Sequence, residues 1–146
     1  MTVSPPAQRT KHYITQLEKV QRRAARFVNK NYHEKSPGCV EKMMKELNWE
    51  SLQHRRTEKR LIMFYKIDKQ MVDIKKETYL QKGDSRTRGA HKFHQARSQH
   101  PALTNSFFIK TVKEWNNLPS SLTAVPSLEA FSAGLGAALH QEGPRH

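Results

Sequence analysis

Apolar residues recur at three- and four-residue steps through most of this chain, and that spacing predicts a mainly α fold. Ile14, Leu17, Val20, Ala24, Phe27 and Val28 form one stripe within a first helix over residues 10–31. Ser36, Pro37 and Gly38 then break the pattern. A short helix follows with Val40, Met43, Met44 and Leu47 on one face; Asn48 ends it, and Trp49 folds back against it. A third helix over residues 50–72 carries the densest apolar cluster, Leu61, Ile62, Met63, Phe64, Tyr65 and Ile67. That cluster is too wide for one stripe, so this helix is expected at the centre of the core.

Beyond Leu80 the periodicity stops. Residues 81–103 contain little that is large and apolar besides Phe93 and read as a long, mobile, basic irregular connection. Phe108, Ile109, Val112 and Trp115 restore a helical step, with Ser106 as N-cap candidate and Asn116, Asn117 and Pro119 as the stop. Pro126 and Ser127 open a last helix with Leu128, Phe131 and Leu135 inward, and Gly134, Gly136 and the polar end 141–146 are expected to fray. The expected architecture is one small helical domain of about four to five helices over residues 10–135, between a disordered 1–9 and a disordered 136–146. Phe27, Leu47, Trp49, Phe64 and Trp115 are its expected most buried side chains.

Composition limits that core. Only 36% of residues are hydrophobic, against ~45–50% on a slightly different residue set for an average globular domain. No apolar run approaches a membrane span, and the first residues lack the apolar segment of a signal peptide. A single Cys39 excludes an intramolecular disulfide and a Cys-rich zinc site, so an intracellular setting, nuclear or cytoplasmic, is expected.

The formal charge is +13, and it is unevenly placed. Residues 8–30 hold seven cations and one acid, while residues 85–113 hold no acid at all. Two basic regions around a balanced middle suggest a polyanion partner, RNA or DNA. The candidate phosphate contacts are Arg22, Arg23, Arg26 and Lys30 in the first helix and Arg86, Arg88, Lys92 and Arg97 in the connection. The plainer reading is a solvated surface that keeps the chain soluble. Phe93, between Lys92 and His94, could stack a base, although a lone loop aromatic more often plugs a hydrophobic gap.

Catalytic chemistry is scarce. The chain has no Gly-rich phosphate loop, no G-x-S-x-G and no adjacent acidic pair to hold metals for polymerase or nuclease chemistry. Cys39 with His33 or His54 is a poor nucleophile candidate beside a structural role. His91, His94 and His100 match no common ligand spacing and sit among cations. No catalytic residue, metal site, cofactor or small-molecule substrate is expected.

Several segments together carry a resemblance. They are Leu17-Glu18-Lys19-Val20-Gln21-Arg22-Arg23-Ala24-Ala25-Arg26-Phe27-Val28, then Leu47-x-Trp49-x-Ser51-Leu52 with Arg55-Arg56, then Met63-Phe64-Tyr65-Lys66-Ile67. Thr87-Arg88-Gly89, Asn105-Ser106-Phe107-Phe108, Trp115-Asn116-Asn117-Leu118-Pro119 and Pro126-Ser127-Leu128-Glu129-Ala130-Phe131 follow in order. This series resembles the region after the polymerase and thumb in reverse transcriptases of non-LTR (LINE-type) retrotransposons, in the style of the jockey-like and chicken-repeat-like branches. The family's enzyme is an RNA-directed DNA polymerase. Its catalytic motif, an aromatic residue followed by Ala-Asp-Asp, is missing here, so the resemblance carries over no catalytic residue.

The resemblance implies a non-catalytic, post-polymerase helical region that holds template RNA or target DNA mainly through phosphates. One alternative is a structural buttress that packs on the polymerase thumb. Another is a decayed element copy with no function of its own.

Overall fold

The computed structural model describes residues 6–83, 86, 92–97 and 99–141. Among them the chain is helical, with eight helices and one isolated antiparallel bridge. None of these helices is long and apolar enough to cross a membrane. The chain divides into two compact units, Met1–Arg56 and Thr57–His146.

The first unit contains α1 (Pro6–Val28), α2 (Cys39–Glu46) and the first turn of α3 (Leu52–Asp68). Its core is small: Ala25, Cys39, Val40 and Met43 are buried. The face of α1 that meets its partners is not the apolar stripe. Buried Gln21 donates from Nε2 to the Glu50 carbonyl at 2.6 Å, and Glu18 accepts from the Gln53 N–H at 3.1 Å. The stripe lies about 100° further round the helix and faces solvent: Leu17, Val20 and Val28 are exposed, and Phe27 is 70% exposed. This corrects the expectation that Phe27 is a core residue. Leu47 and Trp49, also expected deep, are half-buried.

Helix ends follow local chemistry more closely. At the end of α2, Asn48 takes φ 54°, its N–H donates to Lys45 O at 3.0 Å, and the Trp49 N–H donates to Met44 O at 2.8 Å. This is the Schellman pattern, and Asn48 ends the helix where the sequence predicts. The same pair of bonds ends α1 at Lys30 (φ 51°) and α3 at Gln70 (φ 55°). Left-handed backbone costs a non-glycine residue about 1–2 kcal/mol, less for Asn. Gln70→Gly is therefore expected to stabilise the fold by about 0.5–1 kcal/mol, and Asn48→Gly by less. Chemical denaturation of both variants checks this, and a destabilised Gln70→Gly would refute it.

The second unit holds the rest of α3, then α4 (Lys76–Tyr79), α5 (Pro101–Thr104), α6 (Phe107–Asn116), α7 (Ser120–Thr123) and α8 (Leu128–Gln141). Leu61, Phe64, Tyr65 and Ile67 of α3 are buried, as their density predicts, together with Val112 and Trp115 of α6, Leu122 of α7, and Phe131 and Leu135 of α8. Aromatic rings join the layers. Phe64 lies 4.7 Å from Trp115, and Tyr65 stacks on Phe131 at 4.4 Å while its hydroxyl donates to Val125 O at 2.7 Å. Burying such rings is the main stabilising term available to a core-poor chain.

Ser127 Oγ accepts from the Ala130 N–H at 3.2 Å and caps α8 where the sequence places its start. The other end differs. α8 runs on to Gln141, through the first part of the expected disordered tail, and residues 142–146 lie outside the described residues. Gly134 has a packing role, since a Cβ there would stand 2.5 Å from Leu122 Cδ1. Ser106 occupies the N-cap position of α6 but its hydroxyl accepts no capping hydrogen bond, and α4, α5 and α7 are short turns that apolar spacing does not signal.

Candidate functional site

The candidate phosphate-binding residues separate into tied and projecting groups. Arg22 forms an ion pair with Glu41 of α2. Arg26 donates from Nη1 to Glu34 O at 2.7 Å and Asn31 O at 3.4 Å, and from Nη2 to Cys39 Sγ at 3.3 Å. It therefore holds the turn after α1, and buried Cys39 is part of that turn, its thiol donating to Glu34 O at 3.4 Å. The Ser36 hydroxyl and then the Asn31 amide hold the Glu34 carboxyl below the usual carboxylate range, and the Arg22 hydrogen bond does the same for Glu41. Carboxyls lowered in this way add stability above their ordinary pKa that is lost on acidification. The side chains of Arg23 and Lys30 are exposed and make no hydrogen bond or ion pair among the described residues. Changing Arg22, Arg23 and Arg26 together would thus disturb the fold as well as the charge.

In the second unit, the basic connection is anchored where its described residues allow it to be followed. Lys82 bridges Phe93: the Gly83 N–H donates to Lys92 O at 2.8 Å, and the His94 N–H donates to Gln81 O at 2.6 Å. Phe93 is buried, with its ring 5.4 Å from that of Phe64. It fills the core and is not free to stack a base. Its own N–H and C=O turn to the side-chain amide of Asn116, at 3.0 and 2.8 Å. Asn116, a helix-stop residue by sequence, thereby ties the connection to the end of α6 through its side chain.

This anchoring delivers Arg97 to a cleft of about 510 Å³ against α6. Lys110 and Lys113 line the same cleft, with Gln95, Asn105 and Asn117 as polar neighbours. The one acid on its wall, Glu114, is held by Arg60, with Nη2–Oε1 at 2.6 Å and Nε–Oε2 at 3.3 Å. Because Arg60 answers Glu114 through a two-point contact, the three other cations face the cleft without a competing carboxylate. Such a cleft can take a polyanion backbone.

Lys110 and Lys113 are not among the sequence candidates, because the apolar spacing of their helix reports its core face. The signal was present: both lie in the acid-free run at a three-residue step, beside the buried Val112 and Trp115. Arg86 and Lys92 are exposed on the connection and do not line the cleft. Arg88 lies outside the described residues, as do His91 and the Thr87-Arg88-Gly89 segment. The chain matches no known family, no curated protein and no solved structure.

Proposed function

We propose that this chain is a non-catalytic region of a retrotransposon reverse transcriptase that holds template RNA or target DNA through phosphate contacts. The observation that supports it best is the cationic cleft, where Arg97, Lys110 and Lys113 converge while Arg60 occupies the one nearby acid. Three lysine and arginine side chains around one hollow suit a charged backbone and offer little base readout. The non-catalytic part of the reading rests on the sequence, which carries neither an adjacent acidic pair nor a phosphate loop.

The test is binding of labelled single-stranded RNA and duplex DNA over a range of salt. Replacing Arg97, Lys110 and Lys113 by Gln is expected to reduce the log–log salt slope by about 2 on single strands and about 3 on duplex. All three side chains lie outside the buried core, and the Arg60–Glu114 pair is left intact. An unchanged slope, or no salt-dependent binding by the wild-type chain, overturns the reading.

The exposed Tyr13, Leu17 and Val20 on α1 favour the buttress as a second reading, because an unpaired apolar stripe suits a protein surface. Capture by a separately expressed polymerase domain, without RNA binding, would mark that role.

A further inference from the structure

The end of α1 carries a feature that neither the core nor the phosphate contacts explain. Phe27 is 70% exposed and Tyr32 is 53% exposed, and the two line one shallow hollow of about 610 Å³ with Arg23, Ala24 and Arg26. The arrangement is built rather than incidental. Lys30 in the left-handed conformation turns the chain out of α1, and the Arg26 bonds to Asn31 O and Glu34 O hold that turn, bringing Tyr32 beside Phe27.

We propose that this hollow receives an unpaired base of a single-stranded nucleic acid, stacked on Phe27 and Tyr32, with its backbone along Arg23 and Lys30. The inference rests on the polyanion reading above and adds to it a strand state and a second contact surface. Three observations favour a base over a protein side chain. The ligand-facing groups are two aromatic rings, whose faces stack on any base without regard to sequence. The rim is cationic: Arg23 makes no ion pair among the described residues, and the partners of Arg26 are carbonyl oxygens and a thiol rather than a carboxylate. Lys19 and Arg23 follow one edge of α1 one turn apart, which suits the successive phosphates of an extended strand.

The experiment compares the full chain with Phe27→Leu/Tyr32→Leu, which keeps apolar bulk at two exposed positions and removes both rings. The probes are an oligouridine RNA of about 12 nucleotides, the same strand with 2-aminopurine at its centre, and a duplex DNA of equal length. The double variant is expected to bind the single strand about 5- to 100-fold more weakly. Its salt slope and duplex affinity should remain as in wild type, and the 2-aminopurine quenching on binding should be lost. Far-UV circular dichroism establishes that both proteins are equally folded. Equal single-strand affinity and equal quenching in the two proteins overturn the base site. If the Arg97, Lys110 and Lys113 changes still lower the slope in that case, phosphate binding stands without it. Unchanged RNA binding combined with altered self-association on sedimentation would assign the hollow to a protein contact, which also overturns the proposal.

Discussion

Phe64→Ala is expected to cost about 3–5 kcal/mol of folding free energy, the range for deleting a fully buried ring. Phe64 is completely buried and contacts the two elements that close the second unit, with Trp115 of α6 at 4.7 Å and Phe93 of the connection at 5.4 Å. Few side chains could relax into the space, because the core of this unit already draws on nearly every large apolar residue in α3, α6 and α8. Native domains are stable by only about 5–15 kcal/mol, so this single change removes a large share. Urea denaturation followed through Trp115, in a background where half-buried Trp49 is replaced by Phe, reads the effect in this unit. A loss below about 1 kcal/mol would place Phe64 outside the core.

Asn116→Ala is expected to cost about 2–4 kcal/mol by a different route. Here no large volume is removed. The loss arises because the Phe93 N–H and C=O, both paired with the Asn116 amide, are left in a buried setting without partners. Asn116→Asp should rescue little, since a carboxylate accepts from the N–H but repels the carbonyl. Hydrogen exchange localises the effect: the Phe93 amide should lose protection before the α3 amides do. Arg97 reaches its cleft through this anchor, so under the proposed phosphate-binding role RNA affinity should fall although Asn116 lines no part of that cleft. Full protection of the Phe93 amide in the variant would show that the anchor is dispensable.

The legible parts of this protein are those decided within a few residues. The central place of α3 follows from six apolar side chains in seven positions, 61–67, which no single helical face can hold. Asn48 and Ser127 mark helix ends because a left-handed backbone or a hydroxyl acceptor is required at that one position. The basic bias of residues 85–113 is likewise plain in the sequence, whereas the cleft that joins Arg97 to Lys110 and Lys113 is not.

What sequence alone determined is therefore helical class, a few helix ends, the central helix and the placement of charge, all of which arise from neighbours three or four positions apart. Tertiary structure decided which face of each element was used. α1 turns Gln21 and Ala25 inward and leaves Phe27 in solvent, because the carbonyl of Glu50 and the small core of Cys39, Val40 and Met43 meet that side. It also decided which arginines are occupied: Glu41 and the carbonyls of Asn31 and Glu34 claim Arg22 and Arg26, and Arg23 is left projecting. Phe93 became core, and Arg97 met Lys110 and Lys113, through a hydrogen-bonded partner 23 positions from Phe93. Local spacing cannot report such pairings, because the partner that makes a face buried or a charge engaged is brought in by the fold from elsewhere in the chain.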